Sequence, residues 1–177
     1  MCPFQSCWLF LWLKIDEINL KNIFPLRTIQ DGINIKNKML NSKKAVLLGG
    51  GYISIEVMEA LVHNNIQVTL IEKNSQILNM FDSDFAQFIT DYIIGKNPGQ
   101  VSILTNEEII EFVGNENNEV IKVITSSGKI IETDFVVLGT GVRPNTDFLQ
   151  GSNIKLGVNN SIKVDKTMKT SKYNIFT

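Results

Sequence analysis

Three consecutive glycines, Gly49 to Gly51, end the apolar run Ala45 to Leu48, and a carboxylate, Glu72, closes a second apolar run about 20 residues later. The chemistry open to such a pair is capture of a nucleotide by its phosphates and its sugar. A helix that starts at a glycine turn offers unpaired N–H groups and the positive end of its dipole to an anion. Side chains would obstruct that approach, so glycine is required where the backbone bends and comes near the phosphates. Gly49 and Gly51, on either side of Gly50, fill those two places. Glu72 is set to accept hydrogen bonds from the adenosine ribose hydroxyls. Its charge would repel a 2′-phosphate, which favours NAD(H) over the phosphorylated form, and the neighbouring Lys73 keeps that preference modest.

The spacing G-x-G-x-x-G places its third glycine where this chain has Ser54. That position lets the helix pack closely on the strand and makes no ligand contact. Serine there is expected to shift the helix slightly outward and leave the phosphate site usable. Glu56, in the same helix, either sits near the ribose or nicotinamide or belongs with Glu59 to a solvated face. His63, the single histidine, falls at the end of that helix far from the glycine turn. No group of His, Cys, Asp and Glu has metal-ligand spacing, and no serine lies in a nucleophile elbow. No catalytic residue and no metal ligand is therefore assigned.

Elements that position these residues follow from periodicity. Ala45 to Leu48 is continuously apolar, as a strand buried on both faces of a parallel sheet must be. Tyr52 to Asn65 has helical spacing through Ile53, Val57, Ala60 and Leu61, and Gln67 to Ile71 is the next strand, so the stretch is a βαβ unit. Thr28 to Leu40 and Asp84 to Ile94 are further helices, the latter stopped by Gly95 and the Pro98-Gly99 turn. Val101 to Leu104 is a third strand. The β-branched segments IIEFVG, EVIKVITSSG and KIIETDFVVLG, punctuated by Gly114-Asn115, Asn117-Asn118 and Ser127-Gly128, form a meander that returns to the main sheet at Phe135 to Leu138. The expected class is α/β: a Rossmann-like parallel sheet with a three-stranded β-meander crossover, in a three-layer ββα arrangement.

A chain of 177 residues with 44% apolar content supports a folded core. With 17 basic and 18 acidic residues the net charge is -1, which gives no field for nucleic acid or an anionic membrane. The two cysteines, Cys2 and Cys7, provide no disulfide framework and suit a reducing cytoplasm. The apolar start, MCPFQSCWLFLWLK, is too short to span a bilayer and lacks the features of a signal peptide, so a truncated or misassigned start is expected.

Several ordered stretches together resemble one family: NIFPLRTIQD, KAVLLGGGYISIEVMEAL, VTLIEK, VVLGTGVRPNTDF and IKVDKTMKTSKYNIFT. From Ile15 onward the chain is similar to the central part of the pyridine nucleotide-disulfide oxidoreductases, in the branch that holds NADH oxidases, NADH peroxidases and coenzyme A-disulfide reductases. The resemblance implies a nicotinamide domain inserted in a flavin domain, with NADH passing hydride to FAD and onward to a disulfide, a sulfenate or oxygen. It implies that Gly49 to Gly51 face the pyrophosphate and Glu72 the ribose. Tyr52 and Ile53 would lie near the nicotinamide, with Tyr52 over the open face of the flavin, and Gly141 would line the nicotinamide side. Arg143 to Asn145 would lead the chain back toward the flavin domain. The expected organisation is an unmatched apolar leader (1–14), a connector (15–42), an NAD(H)-binding domain (43–142) and a partial return segment of an FAD-binding domain (143–177). The flavin fingerprint, redox cysteine and dimerisation domain of intact relatives have no counterpart here, so turnover would need a flavin-bearing polypeptide or a homodimer partner, with an apolar surface exposed in its absence. Two other readings stay open: a stand-alone, non-catalytic NAD(H)-binding module, and an S-adenosylmethionine-dependent methyltransferase, against which the meander and the GTGVRPN turn argue.

Overall fold

The computed structural model describes residues 8–10 and 20–177. Cys2, Cys7 and most of the apolar leader lie outside the described residues, as does the start of the segment read as a connector. In chain order the elements are β1 (Trp8–Phe10), β2 (Ile23–Pro25), α1 (Ile29–Met39), β3 (Lys44–Leu48), α2 (Tyr52–His63) and β4 (Gln67–Ile71). They continue with α3 (Ser83–Lys96), β5 (Val101–Leu104), β6 (Ile109–Gly114), β7 (Val120–Thr125), β8 (Ile130–Glu132), β9 (Phe135–Leu138) and β10 (Val142–Pro144).

Two compact units result: Leu13–Thr140, and Gly141–Thr177 together with the strand at Trp8–Phe10. In the larger unit five strands run parallel in the order β2-β9-β3-β4-β5, and β6-β7-β8 form a separate antiparallel sheet. Alternation along each strand splits the core in two. Ala45, Leu47, Val68, Leu70, Phe135 and Val137 pack on the helix side against Val57, Met58 and Leu61 of α2. Val46, Leu48, Ile71 and Val136 pack on the other side against Ile109, Phe112, Val120 and Val123 of the meander. The apolar runs of β3 and β9 are therefore continuous because each strand serves two cores, and the layers are helices, parallel sheet and meander.

The meander is fastened to the loop before it by one carboxylate. Glu107, 5% exposed, accepts hydrogen bonds from Ser127 Oγ, Lys129 Nζ at 2.9 Å, and Ser126 Oγ and Ser127 N at 3.2 Å. These bonds, led by the Ser127 hydroxyl and then Lys129, pull its pKa from 4.5 to about 2.

Within the segment read as a connector, Ile23–Pro25 pairs in parallel with β9 as an edge strand of the main sheet, and one helix differs from its expected end. Proline is tolerated on that edge, and three residues are too few for a period to register. Helix α3 runs through Gly95 to Lys96, since a single glycine costs a helix only about 1 kcal/mol and tertiary packing offsets it. The first helix, by contrast, starts where its capping residues say: Thr28 accepts from Asp31 N, and Asp31 accepts from Thr28 N.

In the smaller unit β1 and β10 pair antiparallel. Isolated antiparallel bridges Leu156↔Ile162, Val164↔Thr170 and Lys169↔Phe176 follow. Among the described residues no helix is long and apolar enough to cross a membrane.

Candidate functional site

Strand order reverses between β3 and β9: the chain leaves β3 toward β4 and β5, and the meander brings it back on the opposite side of β3. Crevices at the carboxyl ends of parallel strands form at such a point. The glycine turn and the Gly139-Thr140 segment that ends β9 meet there.

Each of the three glycines has its own reason. Gly49 takes φ +98°, and a Cβ on it would come within 2.5 Å of the Gly139 carbonyl oxygen. Gly50 is buried, and a Cβ there would stand 2.9 Å from Ile77 Cγ2 and 3.2 Å from Glu72 Cγ. Gly51 has ordinary extended geometry, φ -82° and ψ 178°, and a Cβ on it would meet nothing within 4 Å. Protein packing thus demands glycine at 49 and 50, while the room beside Gly51 is open. The expectation named Gly49 and Gly51 as the two constrained places; packing constrains Gly49 and Gly50 instead, the latter because Ile77, which no local pattern links to the turn, lies against it.

Helix α2 begins at that open side. Gly51 is its N-cap and supplies no side-chain hydrogen bond, and its first turn holds no acidic residue. The helical ladder starts with Ile55 N donating to Gly51 O at 3.2 Å. The N–H groups ahead of it have no acceptor within the helix and face the end where dipole potential is positive. Beside the turn, Thr140 Oγ1 is buried with no hydrogen-bond partner among the described residues.

Glu72 directly follows β4, and it is 6% exposed with its carboxylate already engaged. Oε2 accepts from Gly50 N at 2.5 Å, and Oε1 accepts from Asn74 N at 2.8 Å and Asn74 Nδ2 at 2.6 Å. The acid is therefore oriented toward the glycine turn by a donor of that turn itself. Lys73 and Asn74 are exposed next to it. Asn74 was missed in the sequence, where only its place two residues after the acid could have marked it.

Ser54 is 2% exposed, and its hydroxyl fills the space that a Cβ on Gly139 would take. Close approach of α2 to the sheet is thus accommodated by the glycine of the VVLGTG segment, facing the serine.

Tyr52 and Ile53 follow the turn, 51% and 38% exposed. With Leu26, Glu56, Val57 and Ala60 they line a shallow, largely apolar groove beside the first turns of α2. Tyr52 also meets Phe81 edge to face, centroids 6.1 Å apart. Glu56 and Glu59 are both exposed, and His63 is exposed at the last turn of α2. Gly141, exposed with φ +96°, opens the smaller unit.

Fold and site together define a Rossmann-like α/β domain with a glycine turn at its switch point. The sequence profile of the pyridine nucleotide-disulphide oxidoreductases matches residues 11–177, and the chain belongs to that family. It is 34% identical over 163 residues to an NADH oxidase of Enterococcus faecalis, covering 92% of this chain and 35% of the relative. It is 34% identical over 155 residues to a coenzyme A disulfide reductase of Staphylococcus epidermidis, covering 86% and 33% respectively. Among solved structures, the water-forming NADH oxidase of Lactobacillus brevis bound to NADH matches with a TM-score of 0.86 at 25% identity, covering 97% of this chain and 37% of that one. The chain spans about a third of the length of these relatives.

Proposed function

We propose that this chain is the NADH-binding part of an FAD-dependent pyridine nucleotide-disulfide oxidoreductase. The observation that carries the reading is the direct hydrogen bond from Gly50 N–H to the Glu72 carboxylate at the carboxyl edge of the parallel sheet. It couples the phosphate-side turn to the ribose-side acid in one rigid unit. Two features support this ligand: a Cβ on Gly51 would meet no protein atom within 4 Å at the start of α2, where an anion is favoured, and Thr140 Oγ1 is a buried hydroxyl without a hydrogen-bond partner. Gly49 to Gly51 would hold the pyrophosphate and Glu72 the ribose. Tyr52, Ile53 and Glu56 would lie on the nicotinamide side, and Lys73 at the edge of the adenosine site.

Bound NADH would supply a hydride, and a flavin would supply the acceptor through which a disulfide, a sulfenate or oxygen is reduced. The protein's own part is to fix the dinucleotide and present its nicotinamide near the apolar groove at Tyr52 and Ile53. Residues 143–177 would belong to a flavin-binding unit, completed by a flavin-bearing polypeptide or a homodimer partner, in the cytoplasm. The relatives named as NADH oxidase and coenzyme A disulfide reductase support this assignment.

The test is a fluorescence titration with NADH, repeated after Glu72→Ala. Loss of a hydrogen bond to a charged group predicts affinity weaker by about 1 to 3 kcal/mol. Equal affinity in both proteins would take Glu72 out of the site, and no NADH binding by the wild type would refute the reading. S-adenosylmethionine serves as the control ligand and is expected not to bind.

A further inference from the structure

We infer that Leu78 is a positioning residue: its backbone N–H, held in a left-handed conformation, turns the Gly50–Gly51 peptide so that Gly51 N–H faces the dinucleotide phosphates. The inference rests on the dinucleotide reading above. Among the described residues, eight of the non-glycine positions with positive φ are asparagine, whose short polar side chain tolerates that region. Leu78 and the exposed Met168 depart from this pattern, and of the two only Leu78 is buried. It takes φ +51° with its side chain 4% exposed in the helix-side core. A leucine stays in that region only where its surroundings over-determine the conformation, and such strain collects at ligand clamps.

Leu78 N donates to Gly50 O at 2.7 Å, and Leu78 O accepts from Phe81 N at 2.9 Å. Next to it Ile77, fully buried, sets its Cα 3.1 Å from where a Cβ on Gly50 would stand. The other side of Gly50 is taken as well, since its N–H donates to Glu72 Oε2. Neither peptide flanking Gly50 can then rotate without leaving a buried polar group unpaired. In a trans peptide the C=O and the following N–H point in opposite directions. Capture of Gly50 O by Leu78 therefore aims Gly51 N–H away from the packed loop. That N–H belongs to the N-cap of α2, beside the donors assigned to the pyrophosphate. With glycine on both sides the peptide has little steric resistance to flipping, and a flip would present a carbonyl oxygen to the phosphates in place of a donor.

The experiment measures the NADH dissociation constant and the urea stability of the 177-residue chain, of Leu78→Ile and of Leu78→Gly. Isoleucine keeps the apolar volume but its β-branch disfavours positive φ, whereas glycine gives up the side chain and adopts that φ freely. Loss of one donor to a charged group predicts NADH binding weaker by about tenfold or more in Leu78→Ile. Leu78→Gly should bind within about threefold of the wild type, even though it is the less stable variant in urea. A side chain that served packing alone would give the reverse order, with glycine worse in both measurements. The wild type carries a readout that no variant's folding limits: its Leu78 amide should be protected from hydrogen exchange, and saturating NADH should move the Gly51 amide resonance. Full NADH affinity in Leu78→Ile, weaker binding by Leu78→Gly than by Leu78→Ile, a freely exchanging Leu78 amide, or a Gly51 amide that bound NADH leaves in place overturns the inference, while NADH binding by the wild type keeps the dinucleotide reading intact. Failure of the wild type to bind NADH overturns both.

Discussion

Replacing Gly51 by alanine separates what the ligand needs from what the fold needs. The new methyl group meets no protein atom within 4 Å, and φ -82° with ψ 178° is comfortable for any residue. Alanine at a helix N-cap is poorer than glycine by a few tenths to about 1 kcal/mol. Its restriction of the unfolded chain returns about 0.4 to 1 kcal/mol. Stability should therefore stay within about 0.5 kcal/mol of the wild type. Gly49→Ala is the contrasting perturbation. Its φ of +98° imposes backbone strain, and its methyl group would run into the Gly139 carbonyl, a backbone atom that cannot swing aside. Strain of about 1 to 3 kcal/mol joins overpacking of similar size, so a loss of about 2 to 5 kcal/mol is expected. Urea denaturation followed by circular dichroism measures both variants, and NADH titration measures the first. Gly51→Ala should bind NADH at least about tenfold more weakly, or 1.4 kcal/mol, because its methyl group projects into the space assigned to the pyrophosphate. Full NADH affinity at unchanged stability would show that the phosphates do not come to this turn. A stability loss equal to that of Gly49→Ala would show that the open space beside Gly51 is not there.

Two further outcomes test the packing around the site. Gly139→Ala should destabilise the protein by about 1 to 3 kcal/mol through overlap with the Ser54 hydroxyl, and Ser54→Gly in the same chain should restore most of the loss; strictly additive effects in the double-mutant cycle would refute the proposed fit. Glu107 titrates at about 2 in the folded protein and at 4.5 without its partners. A depressed carboxyl pKa stabilises above the unfolded value and stops doing so as pH falls through the folded one. The stability difference between wild type and Glu107→Gln should accordingly shrink between pH 4.5 and pH 2, and a difference constant across that window in urea melts would count against the hydrogen-bonded anchor.

Local signals were legible wherever short-range chemistry dictates the outcome. Gln67–Ile71 and Val101–Leu104 lie where their apolar, β-branched runs placed them, and the meander segments follow their Asn and Gly punctuation. Edge strand Ile23–Pro25 was not legible, because it is defined by pairing with Val136 to Leu138, far along the chain. Helix α3 outran its glycine for the same kind of reason: Ile89 and Ile93 pack on the helix-side core, a contact that propensity alone does not contain. The site divides in the same way. Glycine turn and acid were visible as residue types at a spacing, but Asn74, Ile77 and Gly139 carry no distinguishing pattern of their own.

From its sequence alone the protein was determined as an α/β chain with a glycine turn before a helix and an acid after the next strand, because periodicity and backbone freedom are properties of neighbouring residues. Tertiary structure decided which glycines packing requires, how a buried serine fits beneath the turn, and which donors hold the acid. Those facts depend on atoms from β9 and from the loop after β4 arriving within contact distance of the turn, and only the folded chain brings them there.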